Sequence, residues 1–473
     1  MHGDLALHKC SAVELGRRMR EGEIDAQELT EYFIERVMAC ADRAIFISTT
    51  FERARCEAGE SARRYAAGAP AGPLDGVPVA WKDVFDVAGT VTTAGTPIFL
   101  KHMPAARDAP IVRRLSQAGM VILGKTNLSQ FANSALGLNP YFGTPVSAAA
   151  SGQPRVPGGS SSGSAVAVAR GLAPLAIGTD TGGSIRTPAA FNGVVGFKTS
   201  VGRYPLAGVF PLARSLDTIG FIARCVEDCS ALDAAATGIA PETAAGAAAI
   251  SDQASRYPLY VPENILAWAD DEVRESLAAL RSMLVDAGYR VVGMEIPQLE
   301  TIHRVMKERG GISLAEAYWE HRRWVESDDA HWIDPFVRGR ILGGKRMSAC
   351  DLLALQRLKA DCTQSVWSRV APGALMMPTV PHVAPTFAQV SDATGFADIN
   401  ERTTCFTVLI NMLNGCSLSL PCGSGRDGMP MAVSISLPAG DERRLLQLGT
   451  HIAGLCERAA SRKNTVKMTN ALH

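Results

Sequence analysis

LAPLAIGTDTGGSIR, residues 172–186, runs from a short apolar segment into a cluster of glycines and hydroxyls. Residues 175–178 read as an extended, buried strand. Glycines placed just before a serine let the backbone turn sharply and aim successive N–H groups one way, an arrangement able to hold an oxyanion. A tight turn that merely joins strand to helix accounts for the same residues equally well, so the surroundings must decide. Upstream, PGGSSSGSAVAVARG (residues 157–171) passes from glycine and serine into small apolar residues, with residues 165–170 helical. Earlier still, Leu74-Asp75-Gly76 is a turn signal, and the apolar run VPVAW behind it reads as a strand ending in Lys82-Asp83. Asp108 can cap a helix running through Leu115 and stopped at Gly119, and residues 120–123 then form a buried strand. Strand and helix thus alternate, which favours an α/β fold with a covered sheet.

The flanks follow the same logic. Ser11-Ala12-Val13-Glu14 has the form of a capping box. Leu15, Met19, Leu29, Phe33 and Val37 recur at helical spacing, and Gly22 divides that stretch into two helices. Residues 1–65 are therefore expected to be mostly helical. On the far side, the alanine-rich residues 234–249 read as a loop, and residues 259–261 as a strand. Val273, Leu277, Leu280 and Leu284 form one helical face closed by Gly288, followed by a strand over residues 289–296. Residues 303–369 are helical and rich in tryptophan and arginine, as expected of a lid or substrate-side insertion. The chain shows no internal repeat.

Composition narrows the function classes. The 473 residues are 47% hydrophobic and 20% charged, an ordinary globular balance. The 47 basic and 47 acidic residues cancel, which argues against a broad nucleic-acid surface. The eleven cysteines are scattered singly and suit neither a zinc knuckle nor a redox pair, so free thiols in a reducing cytoplasm are expected. No histidine grouping has metal-ligand spacing, and no metal or other cofactor is expected. No stretch approaches the length of a membrane span, and no secretory h-region opens the chain.

Two clusters offer a serine nucleophile. Gly159-Ser160-Ser161-Ser162-Gly163 satisfies G-x-S-x-G with Ser161 at its centre, but a nucleophile elbow needs a strand directly before it, and Gln153-Pro154-Arg155-Val156-Pro157 is a poor one. The second is the turn at Ser184. A serine needs a base. His102 is the nearest histidine on the N-terminal side and reads as part of an exposed loop. Lys82, flanked by Trp81 and Val84 at the end of an apolar strand, is the other candidate, although a lone lysine there is ordinarily a surface residue.

Taken together, GVPVAWKD, GGSSSG and DTGGSIR, with Ser160 and Ser184 24 positions apart, resemble the amidase signature family. LGKTNLSQFA, FNGVVGFKTSVGR, MMPTVP and LNGCSLSLPCG extend the resemblance over nearly the whole chain. The resemblance implies a single domain over residues 1–473, with N-terminal helices (1–65), a catalytic core (66–235) and a helical substrate-side insertion (300–370), built on a large mixed sheet covered by helices on both faces. It also implies a Ser–Ser–Lys triad: Ser184 as nucleophile, Ser160 as bridging serine in a cis peptide, Lys82 as terminal base. By the same resemblance the backbone around Thr181, Gly182, Gly183 and Ser184 holds the oxyanion, and Ser134 falls where relatives contact substrate. Asp180 and Arg186 are read as a charged pair bracing the turn, with a substrate carboxylate as the alternative role for Arg186. The expected partner is a small amide, with esters and carbamates as further candidates, and the suggested assembly is a homodimer. A glutamine amidase subunit of a tRNA-dependent amidotransferase and a noncatalytic scaffold stand as alternatives. Two departures from the family pattern stand out: Gln130 occupies a position where many members carry glutamate, and Ala432-Val433-Ser434-Ile435 lacks a glutamine usual in that strand.

Overall fold

The computed structural model describes residues 6–150, 152–239, 257–425 and 427–470. Eleven strands form one mixed sheet: β1 (Phe46–Thr49), β2 (Pro78–Lys82), β3 (Val121–Thr126), β4 (Leu175–Asp180), β5 (Val195–Lys198), β6 (Thr218–Ala223), β7 (Leu259–Pro262), β8 (Val291–Met294), β9 (Ala374–Pro378), β10 (Cys416–Ser424) and β11 (Pro430–Leu437). Their spatial order is β1-β3-β2-β4-β6-β5-β10-β11-β9-β7-β8. The neighbours β3, β2 and β4 run parallel, as do β9, β7 and β8. The strands between β4 and β9 pair antiparallel.

Every residue of β2, β3, β4 and β6 is buried, so both faces of this part of the sheet are covered. The helices Ser162–Ala169 and Arg186–Asn192 pack on each other and on the central strands. The helices Val226–Thr237 and Glu442–Asn470 form another packed pair against the sheet. The small residues behind the serine cluster have a steric reason. A Cβ at Gly163 would stand 2.3 Å from the Ile45 carbonyl oxygen and 2.6 Å from the Asn127 nitrogen, so this helix start lies against backbone. Gly76, at φ 78°, turns the chain into β2 and donates its N–H to the Gly119 carbonyl, tying the starts of the β2 and β3 segments together.

Several expectations need adjustment. Asp108 does not cap the helix Pro110–Gln117, whose N-cap is Ala109. Its carboxylate is instead drawn into a two-point ion pair with Arg53 and accepts the Ala88 N–H. Ser11 caps its helix by accepting the Glu14 N–H, but Glu14 turns to Arg17 and Arg18 rather than back to the cap. Residues 234–237 close the helix Val226–Thr237 instead of opening a loop, and residues 240–249 lie outside the described residues. Residues 303–369 are helical, in four segments from Pro297–Arg309 to Ala349–Val370. The eleven cysteines are free thiols. Among the described residues no helix is long and apolar enough to cross a membrane.

Candidate active site

Lys82 is the last residue of β2, and Thr179 lies near the end of the adjacent parallel strand β4. The site thus forms at the carboxyl ends of parallel strands, where open α/β sheets leave a crevice. Lys82 is fully buried, and its Nζ lies 2.7 Å from Ser160 Oγ and 2.8 Å from Thr179 Oγ1. Burial pushes the Lys82 amine down to about 7, against the opposing pull of the Asp180 and Asp217 carboxylates. Asp83 cannot restore the charge. It leaves the strand to pair with Lys125 at 2.6 Å and to accept the Thr93 N–H, as alternation along a strand requires. Trp81 is equally buried and packs edge-on against Phe85.

Ser160 follows a cis peptide bond after Gly159 and is fully buried beside Lys82. Ser184 is half-buried and lines a cavity of about 60 Å³ together with Gly182, Thr181, Asn133, Arg340 and Asn400. No hydrogen bond joins the Ser160 and Ser184 hydroxyls. The two segments meet through the backbone, where the Ser161 N–H donates to the Ser184 carbonyl at 3.2 Å. Catalytic hydrogen bonds are often open without substrate and close when it binds. Ser161 is buried, with its hydroxyl directed to the Thr179 carbonyl, and does not line the cavity. Larger hollows of about 470 and 370 Å³ contain none of Lys82, Ser160 and Ser184. The second of these holds His102, packed against Phe99 and Trp324.

The turn before Ser184 is braced from inside. Arg186 is fully buried and meets Asp180 with two hydrogen bonds of 3.0 Å, while its Nη2 also donates to Asn411 Oδ1 and the Thr407 carbonyl. Burial alone would raise the Asp180 carboxyl, but Arg186, Lys198 and Asn411 hold it well below the usual carboxylate range. Asp180 also accepts the N–H groups of Gly183 and Ile185. The Gly183 N–H is therefore committed, whereas those of Thr181, Gly182 and Ser184 make no hydrogen bond to a described residue. Asp217 supports the opposite side. It accepts the Thr181 hydroxyl at 2.5 Å and the N–H groups of Leu212 and Ala213, and burial pushes its carboxyl up to about 6.

Ser134 lines the cavity, but its hydroxyl is engaged: it donates to Asn400 Oδ1 at 3.0 Å and accepts the Leu136 N–H. Thr179, Asp217, Asn411 and Arg340 escape sequence reading. Thr179 alone had a local signal, its place three residues before the Gly182-Gly183 turn, at the end of an apolar strand. Gln130 explains one departure from the family pattern. Its Nε2 donates to the Trp332 carbonyl at 3.0 Å and its Oε1 accepts the Asp334 N–H at 2.6 Å. An ionised glutamate could not make the first bond. Gln130→Glu should lower stability by about 1–3 kcal/mol, the cost of an unsatisfied buried group, read as a shifted denaturant midpoint. An unchanged midpoint would remove this seam as the reason for glutamine.

A family model described as Amidase matches residues 28–446. The 2-amino-5-chloromuconic acid deaminase of Comamonas testosteroni is 32% identical over 469 residues, spanning 94% of this chain and 96% of that protein. A glutamyl-tRNA(Gln) amidotransferase subunit of Ralstonia nicotianae is also 32% identical, over 92% of this chain and 95% of its own length. Among solved structures, a crystal structure of an amidase superposes with a TM-score of 0.82 at 31% identity, covering 93% of this chain and 98% of the other.

Proposed function

The chain belongs to the amidase family and is a hydrolase of carbon–nitrogen bonds, and from that premise we propose that it cleaves a small amide through an acyl-enzyme on Ser184, served by a Lys82–Ser160 proton relay. The observation that carries this reading is a lysine amine, wholly removed from water, 2.7 Å from the hydroxyl of Ser160 and behind the wall that presents Ser184. A neutral amine keeps one lone pair. Thr179 Oγ1 takes one of its N–H groups, which leaves the lone pair to accept the Ser160 proton.

The reaction then balances as acyl transfer. Ser184 Oγ bonds to the amide carbon while its proton passes to Ser160 Oγ, whose own proton passes to Lys82 Nζ. The carbonyl oxygen takes the electron pair and accepts hydrogen bonds from the uncommitted N–H groups of the glycine turn. Collapse reforms the carbonyl and breaks the C–N bond, and Lys82 returns its proton through Ser160 to the leaving amine. Water repeats the attack on the ester, releasing a carboxylic acid and freeing Ser184.

A serine-directed fluorophosphonate tests the nucleophile. Peptide mass spectrometry should find the label on Ser184, and label on Ser161 instead would transfer the role to the G-x-S-x-G centre. A glutamine amidase component of an amidotransferase is a second reading, favoured by the identity to the Ralstonia protein. Copurifying partner subunits, with glutaminase activity dependent on them, would establish it.

A further inference from the structure

We propose that the substrate carries a carboxylate in addition to its amide, bound in the Ser184 cavity by the Arg340 guanidinium and the Asn133 side-chain amide; the inference rests on Ser184 as the reacting centre. Arg340 comes from the helix Pro335–Gly343, inside the arginine-rich insertion, and reaches the same small cavity as Ser184. Loss of water around it lowers its pKa, yet an arginine keeps its proton in any protein setting. A cation half withdrawn from water ordinarily has a counter-charge. Among the described residues no carboxylate forms an ion pair with Arg340. Glu401 acts on it only through space and stands exposed.

Its one hydrogen bond among the described residues is a long one, from Nε to Asn133 Oδ1 at 3.4 Å. Arg340 is half-buried, and its two Nη groups have no acceptor among the described residues and stay open to the cavity. Asn133 is only 6% exposed, and with Oδ1 facing Arg340 its Nδ2 is a buried donor without an acceptor. Asn400, on the same wall, spends its Oδ1 on the Ser134 hydroxyl and the Ala135 N–H, which leaves its Nδ2 without an acceptor among the described residues. Three side chains thus bring donors and one positive charge to a single small space, and among the described residues only the Arg340 Nε finds an acceptor.

The buried Asn133 Nδ2 is costly to leave unmade, and the open guanidinium beside it favours an anionic acceptor, so the missing partner supplies oxygens. A neutral carbonyl would satisfy one donor and leave the cation unpaired. A carboxylate presents two coplanar oxygens that match the guanidinium fork, and one oxygen can also take the Asn133 amide. The cavity is only about 60 Å³, which keeps this anchor a few bonds from the carbonyl at Ser184. The substrate class is therefore the monoamide of a short dicarboxylic acid.

Calorimetric titration of the Ser184→Ala protein separates binding from turnover. The probes are succinamate and glutaramate, with butanamide and pentanamide as their neutral counterparts. One carboxylate probe should bind at least about 30-fold tighter than its neutral counterpart, the scale of a desolvated charge pair. Adding Arg340→Leu should bring that ratio to within threefold of unity, and Arg340→Lys should recover part of it. In the active enzyme the corresponding kcat/KM ratio should fall in parallel. Equal binding within both pairs, or a preference that survives Arg340→Leu, overturns the proposal. Should Arg340→Leu not fold, the comparison of ligands in the protein with Arg340 intact decides alone. Tight carboxylate binding without hydrolysis would sustain this subsite and overturn the acyl-enzyme reading. Hydrolysis without preference would do the reverse.

Discussion

Lys82→Ala should lower kcat/KM by about 10³-fold, within the range expected when a positioned base is lost. The pH profile of the wild type supplies the independent signature. The amine, pushed down to about 7 by burial, is charged and inactive as a base below that value, and it loses its proton as pH rises through it. The logarithm of kcat/KM should therefore climb with unit slope up to about pH 7 and level off above. At pH 5 only about 1% of the enzyme would hold a neutral lysine, so the rate should fall by about 100-fold. Asp217, pushed up to about 6, titrates on the same limb, and its charge stabilises the protonated lysine. The residual rate of Lys82→Ala should lose the pH 7 ionisation. A wild-type rate flat down to pH 5, or a limb displaced to the ordinary lysine range near 10.4, would refute the neutral base.

Arg186→Met should destabilise the fold by about 3–5 kcal/mol, because it leaves Asp180 as an uncompensated buried charge. The cost is high here because Asp180 also holds the Gly183 and Ile185 N–H groups on either side of Ser184. Urea unfolding followed by circular dichroism should show a lower midpoint with an unchanged slope. A loss below about 1 kcal/mol would mean that Lys198 and Asn411 suffice to hold the carboxylate. The same variant should depress turnover, since the turn that presents Ser184, the proposed nucleophile, would lose its internal clamp.

The proposed site was legible where chemistry and local pattern coincide. A strand, two glycines and a serine occupy adjacent positions around Ser184, and Lys82 closes an apolar strand, so short-range signals sufficed. The supports were not legible for a physical reason. Asn411 lies more than two hundred positions from Asp180 yet donates to it at 2.9 Å, and nothing local to an asparagine marks that contact. Arg340 is one of many arginines in its region, and only tertiary packing shows which of them faces inward. Asp108 shows the converse error: its placement before a helix signalled a cap, but Arg53 offered a stronger partner.

The strands that carry Lys82 and Thr179 have no exposed residue, whereas the wall facing Ser184 is supplied by helices from distant parts of the chain. Exchanging an inward-facing side chain of that wall is therefore expected to change which compound is accepted while the strands beneath keep their packing.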